Sequence, residues 1–273
     1  MGVNNYPGTH LDLKGCVNDA NNWSSELGAR GFSVTSLIDA QATKAAMADG
    51  VKTVIGQAGT GDVVVITFSG HGTYVPDMDG DELDGLDEGL CPYDLQTGGG
   101  ALLDDEIHAL FAARKPGARL VLISDSCHSG TVSRAAAADP DAEDATRPRF
   151  MPMGNWLPAD KLPRTTGGKP VATVPVTSGR SPFAKAMSRG LGDVLLAGCQ
   201  EGANNFSYDA TIGGKPAGAF TYYALKALKT LNPNSTYADW HKAINPVYLP
   251  SVSYPQSPQI FASAAARQQK IFA

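Results

Sequence analysis

The sequence predicts an α/β fold in which a mainly parallel central sheet lies between helical layers, an α/β/α sandwich. Three observations predict it. Runs such as VVVITF and LVLIS are apolar almost throughout, as strands buried on both faces of a parallel sheet must be. Helical patterns fall between such runs, which suits right-handed crossovers from strand to strand. Two of the runs also end in glycine-bounded turns that carry polar side chains, at the sheet edge where α/β folds collect functional groups.

Taken in order, strands are expected at Phe32–Ile38, Val63–Phe68, Leu120–Ile123 and Val194–Ala197, each rich in β-branched and apolar residues. Helices are expected over about Asn18–Arg30, Ala42–Ile55, Asp104–Ala113 and Phe220–Thr230. Residues 131–185 lack sustained periodicity, and their Pro/Gly/Thr-rich character reads as a long, mobile connection. The expected organisation is one domain over 1–273, with a larger part (1–133), a linker (134–187) and a smaller part (188–273). A second irregular stretch, Tyr248–Pro258, precedes the apolar QIFA, and no internal repeat is evident.

Composition narrows the function. With 42% hydrophobic and 18% charged residues the chain has the balance of a soluble globular protein. A formal net charge of −5 leaves no basic excess to neutralise phosphates, so no nucleic-acid partner is expected. No apolar run approaches the ~20 residues that cross a bilayer, and MGVNNYPGTH reads as no secretory leader. Cys16, Cys91, Cys127 and Cys199 lie far apart with no CxxC pair, which suits reduced thiols in a cytoplasmic protein better than a disulfide framework or a zinc site.

The chemistry-bearing residues follow the two buried strands. Val63–Phe68 runs into Ser69-Gly70-His71-Gly72, and Leu120–Ile123 runs into Asp125-Ser126-Cys127-His128-Ser129-Gly130. A thiolate is a nucleophile, but a thiol of ordinary pKa needs a base beside it, and His71 supplies one if the strand ends are neighbours. Either residue alone could be a small buried hydrophobe or a satisfied polar group; their shared setting after buried strands favours chemistry. Asp125 lies two residues before Cys127 and so faces the same side of an extended chain. A carboxylate there opposes thiolate formation, so its sensible role is to pair with a cation on a substrate, with a helix-capping role as the competing reading.

A wider set of segments then comes into view in order: LKGCVNDA, TFSGHG, DGDELDGLDEGLCPYD, LLDDEI, DSCHSG, DVLLAGC, GAFTYYALKAL and YPQSPQIF. Together they resemble the metacaspases and their bacterial relatives, the orthocaspases, of the caspase-like clan of cysteine peptidases. The resemblance implies a caspase-like fold and a His71–Cys127 dyad. It also implies a specificity pocket with Asp19 and Asp125 that favours cleavage of proteins after Arg or Lys, in a monomeric enzyme. Backbone N–H groups of Gly72 and Cys127 would stabilise the oxyanion. No cofactor is required for the chemistry. Calcium is implied as an activator through acids at Asp87, Asp104 and Asp105, although Arg134 stands where the family has a further acid. Asp77, Asp79, Asp81 and Glu88 follow EF-hand spacing, but Glu82 occupies the position that needs glycine. Cys16 is expected to pack near the pocket.

Two departures from the family pattern raise expectations of their own. The family's first core strand would precede GVNNYPG, so either the sheet edge is shortened or another segment completes it. The linker carries Arg134, Arg147, Arg149, Lys161, Arg164, Lys169 and Arg180, and one or more are expected as self-cleavage sites because a tethered segment has a high effective concentration. A nucleotide hydrolase is disfavoured by the lack of GxxxxGK[ST], and a serine hydrolase by the lack of GxSxG. The remaining rival is a caspase-like binding module without turnover.

Overall fold

A computed structural model describes residues 1–76, 86–127, 146–164, 169, 193–200 and 205–273. Its elements in chain order begin with α1 (Cys16–Ala29), α2 (Lys44–Gln57), β1 (Val63–Ser69), β2 (Gly72–Pro76) and β3 (Leu86–Leu90). β4 (Leu102–Leu103), α3 (Asp104–Ala112), β5 (Arg119–Asp125) and β6 (Arg147–Pro148) follow. The remainder is β7 (Val194–Ala197), β8 (Tyr208–Ile212), β9 (Lys215–Gly218), α4 (Ala219–Leu228), α5 (Tyr237–Ile244) and β10 (Gln259–Phe261). Three of the four strands and all four helices expected from the sequence are present, with ends shifted by up to two residues.

The central sheet has the order β1-β5-β7-β10, with β1, β5 and β7 parallel and β10 antiparallel to β7. This is a mixed α/β sheet with a mainly parallel centre. β5 explains why LVLIS reads as continuously apolar: Leu120 and Leu122 enter one core with Met47, Val51, Ile55 and Phe111, while Val121 and Ile123 enter a second with Trp23, Phe220 and Trp240. Period-2 alternation between two cores buries each side chain, at roughly 1.5–3 kcal/mol apiece. The β1–β5 register sets Ser69 opposite Asp125, so the two chemistry-bearing strand ends lie side by side.

Phe32–Ile38 does not form the expected strand. Ile38 alone makes a parallel bridge, to Gly2, and Gly2 makes a second to Ser69. Met1–Val3 therefore fill one end of a strand-wide gap between residues 32–38 and β1. Further along, an open groove separates Phe32–Leu37 from Val65–Thr67. A ladder needs a neighbour within about 4.8 Å, and Ser33–Ser36 have none, so they stay exposed and irregular.

Of the expected mobile connection, residues 131–145, 165–168 and 170–185 lie outside the described residues. Residues 147–153 differ from expectation in being packed: β6 pairs antiparallel with β8 in a small sheet with β9, and Arg149, Phe150, Met151 and Met153 are all buried. A second small sheet, β2-β3-β4, flanks the other side of the strand ends. Among the described residues, no helix is long and apolar enough to cross a membrane.

Candidate active site

His71 follows β1 through Gly70, whose place no larger residue could take. A Cβ there would lie 2.6 Å from the Phe68 ring and 2.7 Å from Tyr6 Oη. The His71 backbone N–H donates to Tyr6 Oη at 2.7 Å, and the two rings are in contact at 4.8 Å between centroids. His71 Nε2 meets the Leu11 carbonyl oxygen. A carbonyl can only accept, so Nε2 carries the ring proton of the neutral imidazole and Nδ1 keeps its lone pair. Nδ1 is buried with no hydrogen-bond partner among the described residues. Burial is the main cause that pulls the His71 pKa down to about 4, so the ring is neutral at pH 7.

Cys127 lies two residues beyond β5 and is fully buried. Its Sγ accepts the Ser207 N–H and lies 3.4 Å from Cys199 Sγ; all four cysteines are free thiols. In this arrangement the thiol is turned toward Ser207 and Cys199, and its hydrogen bonds do not include the His71 ring.

Asp19, Asp125 and Asp209 converge at one buried point. A single guanidinium, that of Arg149, sits among the three. Its Nη2 donates to Asp19 Oδ2 at 2.7 Å and to Asp209 Oδ1 at 2.9 Å, while Nη1 is 3.2 Å from Asp125 Oδ2. Each acid is fixed independently of that cation. Asp19 accepts the Gly218 N–H, Asp125 the Thr221 N–H at 2.9 Å, and Asp209 the N–H groups of Lys14 and Gly15. Gly218 forms the floor: a Cβ on it would overlap Asp125 Oδ2 and the Arg149 guanidinium. Burial, with Asp125 nearby, pushes the Asp19 pKa up to about 7 despite the opposing pull of Arg149. Such a cluster tolerates ionisation only with a cation inside it.

The Arg149 backbone is held as tightly as its side chain. Its carbonyl oxygen accepts the Gly72 N–H and the Cys127 N–H, each at 3.0 Å, and its own N–H donates to the Ser207 carbonyl at 2.8 Å. One residue past Phe150, the Met151 N–H donates to the Gly72 carbonyl at 2.8 Å. Arg149, one of the basic residues expected on a mobile linker, is thus wholly buried.

The acids expected for calcium behave differently. Asp87 and Asp104 are buried, and Asp105 on the next position of α3 is exposed. Burial, then Glu88, Asp105 and Asp87, raise the Asp104 pKa to about 8, and its Oδ1 has no hydrogen-bond partner among the described residues. That patch is electrostatically hungry for a cation, yet among the described residues no three His, Cys, Asp or Glu side chains converge as metal ligands. Asp77, Asp79, Asp81 and Arg134 lie outside the described residues. Cys16, the first residue of α1, is fully buried in the core.

Sequence reasoning missed Asp209, Ser207, Leu11 and Gly218. Gly218 opens the segment GAFTYYALKAL and the other three lie in no motif; β8, paired with β6, carries Asp209, and β9, paired with β8, ends at Gly218.

Comparison with known proteins matches the chain to a family. A family model for the metacaspase, peptidase C14 domain matches residues 1–135. Metacaspase-1 of Mycosarcoma maydis is 31% identical over 95% of this chain and 68% of its own length. Metacaspase-1 of Ajellomyces capsulatus is 30% identical over 95% of this chain and 77% of its own. The solved structure of protein GSU0716 from Geobacter sulfurreducens superposes with a TM-score of 0.69 at 28% identity, covering 100% of this chain and 96% of that one. With its caspase-like α/β fold, the chain belongs to the metacaspase family of cysteine-type peptidases.

Proposed function

We propose that this peptidase cleaves proteins after Arg, and after Lys, through a Cys127–His71 dyad. The observation that carries the proposal is the Arg149 guanidinium held by Asp19, Asp125 and Asp209 while its carbonyl accepts two N–H groups beside Cys127. A substrate arginine in the same pose presents its carbonyl carbon to the thiol. Cys127 forms the C–S bond, and its proton passes to the Nδ1 lone pair of neutral His71. The N–H groups of Gly72 and Cys127 at 3.0 Å suit a developing oxyanion, where such donors act best at 2.7–3.1 Å. His71 then protonates the leaving amine, and water releases the acyl group. Lysine reaches the same acids with a point charge in place of a planar fork, so Arg is the better substrate.

The chemistry so assigned uses no cofactor, the enzyme acts as a monomer, and self-processing falls within 134–187. Fluorogenic peptides that differ only in Arg, Lys or Asp before the cleaved bond, each with calcium and with chelator, test the proposal. Turnover in the order Arg, Lys, then no Asp is expected; a preference for Asp overturns the pocket assignment. Absence of turnover in every arm favours the silent binding module.

A further inference from the structure

We infer that Arg149–Phe150 is the bond this peptidase cuts first, in its own chain, and that the resident segment displays the substrate it prefers: a basic residue followed by a large apolar one. The inference rests on the Arg/Lys reading and adds the bond and the far side of the cleft.

A buried ion pair alone does not account for the geometry. Arg149 could bind three carboxylates with its backbone anywhere in reach, yet its N–H and C=O are both engaged, the latter by two N–H groups next to the Cys127 thiol. The chain continues past the bond in the same fixed manner. Phe150 bridges Gly72 in parallel register, and Thr73 Oγ1 donates to the Met151 carbonyl at 2.7 Å. The Phe150 ring lies 5.5 Å from the Tyr74 ring in a buried cluster with Leu86 and Met153. On the near side Arg147 and Pro148 pair with β8 as an added strand. Extended backbone bonded on both sides of the cleavable bond is how peptides are recognised by strand addition.

The reaction balances without any co-reactant but water. Cys127 Sγ bonds to the Arg149 carbonyl carbon as the bond to the Phe150 nitrogen breaks, and the thiol proton moves through His71 Nδ1 to that nitrogen. Water then hydrolyses the thioester, leaving Arg149 as a carboxylate, Phe150 as a new amino terminus and Cys127 as a free thiol. The reaction requires the Cys127 side chain to turn away from Ser207 and Cys199. Until the segment leaves, it excludes other substrates from the acids.

The test uses the full chain, with calcium and with chelator, and reads fragments by intact mass alongside turnover of an added Arg peptide. The wild type is expected to yield a fragment that starts at Phe150, preceding a rise in peptide turnover, and Cys127→Ala to yield none. Arg149→Lys is expected to slow the cut at least tenfold at the same bond. Arg149→Gln is expected to abolish it and to turn over added peptide without a lag; Arg149→Lys keeps the charge and guards against misfolding of that variant. Quenched peptides RPRFMP and RPRDMP should differ at least tenfold in kcat/KM. An active wild type that stays whole, or is cut only elsewhere, overturns the assigned bond while the Arg/Lys reading stands. Equal rates for the two peptides overturn the apolar preference alone. Loss of turnover on every Arg peptide overturns the underlying reading instead.

Discussion

Asp19→Asn removes one of three charges from the cation pocket with almost no change in shape. The amide oxygen can still accept the Gly218 N–H, and the guanidinium keeps Asp209 at 2.9 Å and Asp125 at 3.2 Å. What is lost is a fully buried charge-assisted bond of 2.7 Å. Such bonds contribute about 1.5–3 kcal/mol, and one partner removed from a buried pair costs up to about 3–5 kcal/mol. The remaining two acids place the effect at the lower figure, about 2–3 kcal/mol, or a ~30- to 150-fold fall in kcat/KM for an Arg peptide. The assay compares Arg with citrulline, which has the same shape and no charge. The Arg-to-citrulline ratio of kcat/KM should fall by the same factor in Asp19→Asn, while citrulline itself is affected little. An unchanged ratio would refute the pocket argument, even if both rates declined together.

Three further outcomes are expected. With an arginine side chain in the pocket Asp19 is held near pKa 7, so its charge fades as pH drops below 7 and kcat for Arg peptides should decline on that limb; His71, pulled down to about 4, stays neutral there, and Asp19→Asn should flatten the limb. Asp104 has its folded pKa raised to about 8, so the stability it contributes is present below its unfolded value near 4 and lost as pH rises through 8. Asp104→Asn should therefore raise Tm by several degrees at pH 8 and leave it nearly unchanged at pH 4. Gly218→Ala should drive a methyl group into Asp125 and the bound guanidinium, with kcat/KM for Arg peptides down at least 100-fold and Tm lowered.

Local sequence made the centre of the molecule readable. β5 is buried on both faces and β1 alternates buried with half-buried residues, and the polar residues that end these apolar strands stand out for that reason. Asp125 and Asp19 could be brought together only by family resemblance, since 106 residues separate them in sequence (125 − 19) and no periodicity links α1 to β5. Asp209 had no such help: its role arises when β8 pairs with a two-residue strand at Arg147–Pro148, too short for any pattern to announce. The same pairing turned a stretch of low periodicity into packed structure, because a buried guanidinium with three acids offsets the loss of chain freedom. Phe32–Ile38 failed for the converse reason. Its composition suits a strand, but a strand is a relation with a neighbour, and the neighbour reaches only Ile38. Of the acids at Asp87, Asp104 and Asp105, two are buried and one is exposed, a difference that adjacent acids in LLDDEI do not announce.

In the proposed reaction Cys127 attacks the carbonyl of a residue whose side chain is a cation. A peptidyl-arginine chloromethyl ketone and its aspartate counterpart, each incubated with the self-processed protein and read by intact mass, test that claim most directly. One equivalent of the arginine reagent should add to Cys127, none of the aspartate reagent should add, and Cys127→Ala should take up neither. Labelling by the aspartate reagent at an equal rate, or arginine labelling that survives Cys127→Ala, would contradict it.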